Sequence, residues 1–192
     1  MARAPRKDAV ERRDALLAAA AEAFADQGYN VPLDVIAEKA GVGRATLYRN
    51  FADRTALALA VFEDQLEDLA QRTRARGDDP EAFFWFVDQL AEVLGKNAGL
   101  DAALREAQSS GALKPIRTKL VEAGEGALER ARAAGLVRPD LGPSDIRAIA
   151  MILGAGASRP TPEEREMFGQ RIRALLLDGL RIRPETLAET LA

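Results

Sequence analysis

A chain of 192 residues, 47% of them hydrophobic, is long and apolar enough to bury the core of one large domain or two small ones. It has no cysteine and no histidine, which excludes disulfides, thiolate metal ligands, a cysteine redox switch and a histidine general base. The formal net charge of −3 arises after residue 55, because residues 1–55 hold nine Lys and Arg against eight Asp and Glu.

The first seven residues, MARAPRK, form a basic arm that either touches DNA or is a solvated tail. Charged residues follow this arm, so we expect no signal peptide. No stretch approaches the roughly 18 apolar residues of a membrane span, and we expect a cytoplasmic protein without membrane contact. A helix is predicted over residues 8–27, with an inner stripe of Val10, Leu17, Ala20 and Phe24.

The stretch over residues 33–51 reads LDVIAEKAGVGRATLYRNF and predicts two short helices joined by a tight turn. The first, over residues 33–40, has its apolar residues three and four positions apart. Gly41 can adopt the positive φ that the turn requires. In the second helix, over residues 43–50, Leu47 is the only large aliphatic residue.

This pair is either a helical hairpin within a core or a helix-turn-helix that binds DNA. A core hairpin would carry more apolar bulk on its second helix than Leu47 alone, which favours the DNA-binding interpretation. In a helix-turn-helix the second helix enters the major groove and presents its N-terminal residues to base edges. The candidate DNA contacts are Gly43, Arg44, Ala45, Thr46, Tyr48, Arg49 and Asn50, followed by Arg54 and Thr55 at the start of the next helix.

Residues 12–59 resemble the DNA-binding domain of the TetR (tetracycline-repressor) family of bacterial transcription regulators. The matching residues are Phe24, Gly28-Tyr29, Ile36-Ala37, Ala40-Gly41-Val42, Thr46-Leu47-Tyr48, Phe51 and Leu57. The resemblance implies a three-helix DNA-binding head, a linking fourth helix, an all-helical C-terminal body and a homodimer. Two positions depart from the family pattern: Val31-Pro32 replaces a frequent Thr or Ser, and Asn50 replaces a frequent His.

The remaining periodicity predicts six more helices, which brings the total to about nine and makes the fold all-α. They span residues 54–76, 80–96, 100–110, 113–134, 144–157 and 163–181. We expect a helix-turn-helix DNA-binding domain over residues 1–53 and a helical effector-binding and dimerisation domain over residues 54–192.

Four consecutive aromatic residues, 83–86, cannot all face one way on a helix. They belong either to ordinary core packing or to the lining of an effector pocket. The candidate pocket residues are Phe62, Leu66, Phe83, Phe84, Trp85, Phe86, Leu90, Leu104 and Met151.

The last two predicted helices carry apolar faces, and small residues at 154–157 would permit close backbone approach. These faces form either the four-helix dimer interface that the resemblance implies or internal core packing. The candidate interface residues are Ile146, Ile149, Ala150, Leu153, Ala157, Phe168, Ile172, Leu175 and Leu176.

No catalytic constellation, nucleotide-binding glycine pattern or metal-ligand set is evident, so we expect neither an enzyme nor a cofactor. The resemblance implies a repressor that binds a palindromic DNA operator as a homodimer and is released by an unknown small-molecule effector. The alternative is a helical protein-interaction adaptor that has lost DNA binding.

Overall fold

The computed structural model describes residues 5–97, 107, 111–157, 159 and 161–182, and the side chains of residues 5–7 and of Ala157 are not described. The described residues form eight α-helices and no β-strand, and the all-α prediction is confirmed. The helices are α1 Pro5–Gln27, α2 Leu33–Lys39, α3 Arg44–Asn50, α4 Arg54–Ala75, α5 Ala82–Lys96, α6 Lys114–Ala133, α7 Pro143–Ala157 and α8 Pro162–Leu180.

All eight helices begin and end within three residues of their predicted bounds, because capping and turn residues mark most of these ends. The helix predicted over residues 100–110, with Leu104, lies outside the described residues apart from Ala107. Described residues up to Gln65, with 107 and 111–116, form one compact unit, and residues 66–97 with 117–182 form another. The division between these units falls within α4, while the domain boundary at residues 53 and 54 stays a prediction.

The first unit has one hydrophobic core, to which α1 to α4 all contribute. Leu17, Ala20 and Phe24 of α1 are buried there, as predicted, but Val10 is 58% exposed. The prediction for Val10 was wrong because the core contacts α1 only from Leu16 onward, although the helical period extends further. Ile36 and Ala37 of α2, Leu47 of α3 and Leu57 of α4 complete the packing.

In the second unit α5 packs against α7 and α8, which also pack against each other. The α7–α8 crossing is close because glycines meet there: a Cβ on Gly156 would lie 3.0 Å from the Cα of Gly169. Gly156, near the end of α7, therefore permits close packing of two helices within one chain. The end of α8 is fastened by a single antiparallel bridge between Val137 and Arg181.

Among the described residues, no helix combines the length and apolar character needed to cross a membrane.

Candidate nucleic-acid interface

The turn between α2 and α3 sets the direction in which α3 leaves the core. Gly41 has a φ of +66°, a conformation that residues with a Cβ rarely adopt. Its amide donates to the Glu38 carbonyl (N···O 3.0 Å), and the Val42 amide donates to the Ala37 carbonyl (3.0 Å). Gly43 is extended and precedes the first residue of α3. These bonds satisfy the last α2 carbonyls and hold α3 in a fixed orientation.

One side of α3 is anchored and the other faces solvent. Leu47 is fully buried in the core of the first unit, and Thr46 is half-buried. The other predicted contacts of this helix are all exposed, namely Gly43, Arg44, Ala45, Tyr48, Arg49 and Asn50. The structure therefore brings seven of the nine predicted DNA contacts together on one exposed surface, here called the reading surface (residues 43–46 and 48–50).

Hydrogen bonds organise the second half of the reading surface around Thr46. Arg49 donates from Nη2 to the Thr46 hydroxyl (3.1 Å), and Asn50 donates from Nδ2 to the Thr46 carbonyl (2.8 Å). Asn50, at the position where the family often has His, thus caps the end of α3. Arg49 remains exposed and has further N–H groups that a phosphate or a base can accept.

Arg44, the first residue of α3, lies between an aromatic ring and a carboxylate. Its guanidinium carbon is 5.7 Å from the Tyr48 ring centroid, and its Nε is 3.0 Å from Oδ1 of Asp34. Tyr48 and then Asp34 raise the pKa of Arg44, and the guanidinium, like that of any arginine, is charged at physiological pH. Residue type and spacing did not indicate the Asp34 contact, because a carboxylate in the first turn of α2 already has a role at the helix dipole.

Arg54 and Thr55 face the protein instead of joining the reading surface. Arg54 donates from Nη1 to the backbone carbonyls of Tyr29 (2.6 Å) and Val31, and its guanidinium carbon lies 5.6 Å from the Tyr29 ring centroid. The Thr55 hydroxyl is 2.9 Å from the Tyr29 hydroxyl. Both residues are half-buried. These contacts fasten α4 to the turn before α2, and the role of Arg54 and Thr55 as phosphate ligands stays a prediction.

Comparison with known proteins gives two separate family matches along the chain. Residues 16–61 match the family described as bacterial regulatory proteins, tetR family. Residues 78–182, more than half of the chain, match the C-terminal domain described as transcriptional regulator SbtR-like. The chain belongs to the TetR family of bacterial transcription regulators. It is accordingly a member of a family of DNA-binding transcription regulators, and the predicted resemblance is confirmed.

Individual TetR-family relatives agree with this assignment. A TetR transcriptional regulator from Streptomyces coelicolor is 32% identical, and its crystal structure superposes with a TM-score of 0.65 over 88% of this chain and 98% of that one. The regulatory protein RaaS of Mycobacterium tuberculosis is 30% identical over 141 residues, or 72% of this chain and 65% of its own. The transcriptional activator FasR of Mycolicibacterium smegmatis is 38% identical over 90 residues, 41% of each chain. The chain thus spans less than two thirds of either curated relative.

The predicted pocket residues of this TetR-family regulator lie in different surroundings. Phe62 and Leu66 on α4 are buried, as are four residues of α5: Phe83, Phe84, Phe86 and Leu90. Trp85 is half-buried, with the guanidinium carbons of Arg76 and Arg72 at 5.1 and 5.7 Å from its ring centroid.

Met151 is 77% exposed, so its predicted place in an internal pocket is corrected. It stands two residues from Ile149 and from Leu153, which puts it on the opposite side of α7 from these buried residues. Leu104 lies outside the described residues.

The predicted dimer residues also divide into two sets. Ile146, Ile149 and Leu153 are buried within the chain on the face of α7 that packs inward. Direct contact with a second copy is therefore corrected for these three, because the intrachain core already covers them. Ala150, Ile172 and Leu176 are half-buried, Phe168 and Leu175 are exposed, and the Ala157 side chain is not described.

Proposed function

We propose that this TetR-family regulator is a cytoplasmic repressor that binds a palindromic operator as a homodimer and leaves it when a small molecule binds. The observation that carries the proposal is the reading surface, on which α3 buries Leu47 alone and exposes two arginines, a tyrosine and an asparagine. Such a surface suits the major groove, where Arg pairs with guanine, Asn with adenine, and hydroxyl groups with several acceptors.

Within this proposal, Arg44 and Tyr48 contact base edges because they occupy the first part of α3, which is the part that meets the bases in helix-turn-helix proteins. Arg49 and Asn50 lie at the end of the helix and contact the backbone phosphates, which position the protein without reading sequence. The DNA-binding domain comprises residues 1–53, and residues 54–192 bind the effector and form the dimer.

The homodimer is supported by an exposed apolar face on α7 and α8. Met151 and Ile152 on α7 and Phe168 and Leu175 on α8 leave much of their apolar surface in solvent. We call these four exposed residues, Met151, Ile152, Phe168 and Leu175, the outer face. Two of them, Ile152 and Leu175, also line a groove of about 370 Å³. Contiguous exposed apolar patches mark interaction sites on soluble proteins, and a symmetric operator calls for a symmetric pair of reading surfaces.

Effector release rests on family resemblance, and the predicted pocket residues Phe83, Phe84 and Phe86 are buried aromatic side chains of the second unit. A ligand can release DNA only if it binds the DNA-free conformation more tightly than the operator-bound one. We propose a small, partly apolar effector because the predicted pocket residues are aromatic or aliphatic.

The test is selection of genomic fragments by the purified protein at physiological salt, followed by sequencing. The expected result is a recovered inverted repeat whose half-sites lie about one helical turn, or a multiple of it, apart. An Arg44→Ala and Tyr48→Ala double variant, with the same outer face, is the matched control and should recover no repeat.

Failure to recover a repeat, even after the protein has been unfolded and refolded to strip bound ligand, would contradict operator binding and leave the adaptor interpretation. Transcription in vitro from a promoter joined to the repeat then distinguishes repression from activation. Reduced transcript supports the repressor, whereas increased transcript would contradict it.

A further inference from the structure

A carboxylate stands beside the arginine at the start of the reading surface. Asp34, in the first turn of α2, places Oδ1 3.0 Å from Nε of Arg44. Both side chains are largely exposed, with 57% of Asp34 and 66% of Arg44 accessible. The pair therefore lies on the surface where DNA must approach, and burial does not lock it in place.

Arg44 is thereby held in two ways before any DNA arrives. Asp34 occupies its Nε edge, and the Tyr48 ring covers its guanidinium face. Bidentate recognition of guanine or phosphate needs two parallel N–H groups from one guanidinium. Binding through the Nε edge would require Arg44 to leave the carboxylate, and an exposed ion pair is weak enough for DNA to displace it.

The other acidic residues near α2 lack this relation to α3. Glu22 on α1 pairs with Lys39 at the end of α2 (2.7 Å), away from the first turn of the reading helix. Glu38 is exposed on the same helix as Asp34, but the ion-pair partner of Arg44 on that helix is Asp34.

We propose that Asp34 is a specificity-determining residue, whose carboxylate competes with DNA phosphates for Arg44 and weakens binding to non-operator DNA more than binding to the operator. The inference rests on the proposed function, since it assigns a role at the same surface.

The selectivity follows from what each kind of DNA offers Arg44. Non-operator DNA offers phosphates, and attraction to them supplies nearly all of non-specific binding. The operator also offers a base edge, which can accept hydrogen bonds from the two Nη groups while Asp34 stays on Nε. Binding of Arg44 to a phosphate through its Nε edge therefore loses the Asp34 contact, whereas reading of the base keeps it.

The experiment compares Asp34→Asn, which removes the charge and keeps the shape, with Glu38→Gln, which removes one charge from the same helix. Binding to the recovered operator and to a scrambled duplex of equal length is titrated between about 50 and 200 mM salt. Asp34→Asn should tighten scrambled-duplex binding about two- to fivefold beyond Glu38→Gln, which is the range expected for an exposed pair. Its plot of log K against log salt should steepen by about one, as expected when one more phosphate is contacted.

The preference for operator over scrambled duplex should fall for Asp34→Asn. It should persist for Asp34→Glu, which keeps the negative charge. Equal effects of Asp34→Asn and Glu38→Gln would overturn the inference, because general charge would then explain both. Thermal unfolding midpoints of the variants show whether a change in DNA binding arises from a less stable α2. Wild-type binding to the inverted repeat upholds the proposed function whatever Asp34→Asn does, whereas a wild-type protein without sequence preference overturns both proposals.

Discussion

The reading surface on α3 and the outer face on α7 and α8 are both exposed, but their chemistry is opposite. α3 buries Leu47 and exposes arginine, tyrosine and asparagine. α7 buries Ile149 and Leu153 and still exposes Met151 and Ile152. A polar face with hydrogen-bond donors is matched by phosphates and base edges, whereas an apolar face is matched by another apolar surface.

The difference shows how a helix carries two tasks. α3 needs one apolar residue because its inner side only has to dock on a small core, so its outer side is free to be polar. An apolar residue on both sides of a helix indicates that both sides are covered in the functional state. α7 packs its inner side against α5, and we expect its outer side to be covered by the second copy.

A charge placed on the outer face tests this comparison most strongly. Leu175→Glu should raise the dimer dissociation constant at least about a thousandfold, because an ionised carboxylate would enter an apolar contact without a partner. Sedimentation velocity at micromolar protein should show a monomer, and operator binding should be lost with the dimer.

The matched control is Val10→Glu, which introduces the same side chain at an exposed apolar position on α1. Its sedimentation should equal that of the wild type. A dimer that persists in Leu175→Glu with unchanged affinity would show that the outer face is not the interface.

The inner and outer sides of α7 can be separated by truncation. Ile149→Ala should lower the free energy of unfolding by about 3 kcal/mol, because it leaves a cavity against the intrachain core. Met151→Ala should change the unfolding of the monomer by less than about 0.5 kcal/mol, as exposed substitutions do. Urea denaturation of both variants in the Leu175→Glu background measures the chain free of its partner. Equal losses would contradict the assignment of the two sides.

The helices and the reading surface could be predicted from the sequence because they depend on local signals. Gly41 permits the tight turn, and the apolar spacing around Ile36 and Leu47 predicts which sides of the two helices are buried. The family pattern then predicts that α3 is the helix that enters the groove. Periodicity could not decide the side of α7 that meets α5, since Ile149, Met151 and Leu153 are all apolar. Only the packing of the second unit separates them.

Two contacts at the candidate site also escaped prediction, for a different reason. Asp34 on α2 contacts Arg44 on α3, and Arg54 contacts Tyr29, which lies 25 residues earlier in the sequence. An arginine near a DNA-binding motif is equally compatible with a phosphate and with a protein carbonyl. Its partner is determined by tertiary placement, which residue type and spacing leave open.

Tyr48→Ala examines the reading surface itself. It should weaken operator binding by about 1 to 3 kcal/mol if Tyr48 contacts a base, and scrambled-duplex binding by much less. Fluorescence anisotropy with both duplexes measures the difference. Val10→Ala, a truncation at an exposed position of α1 outside the reading surface, serves as the control and should retain wild-type selectivity. Equal weakening on both duplexes would show that Tyr48 does not contact a base.

Arg54→Ala locates the limit of the reading surface and has the smallest expected effect on DNA binding. Because Nη1 of Arg54 bonds the carbonyls of Tyr29 and Val31, its loss should lower the free energy of unfolding by about 1 kcal/mol. The dependence of scrambled-duplex affinity on salt should stay close to that of the wild type. Arg49→Ala, which removes an equal charge from the exposed end of α3, should instead reduce the log–log salt slope by about one. An equal reduction in both variants would mean that Arg54 reaches phosphate as well as the protein backbone, and the reading surface would then extend onto α4.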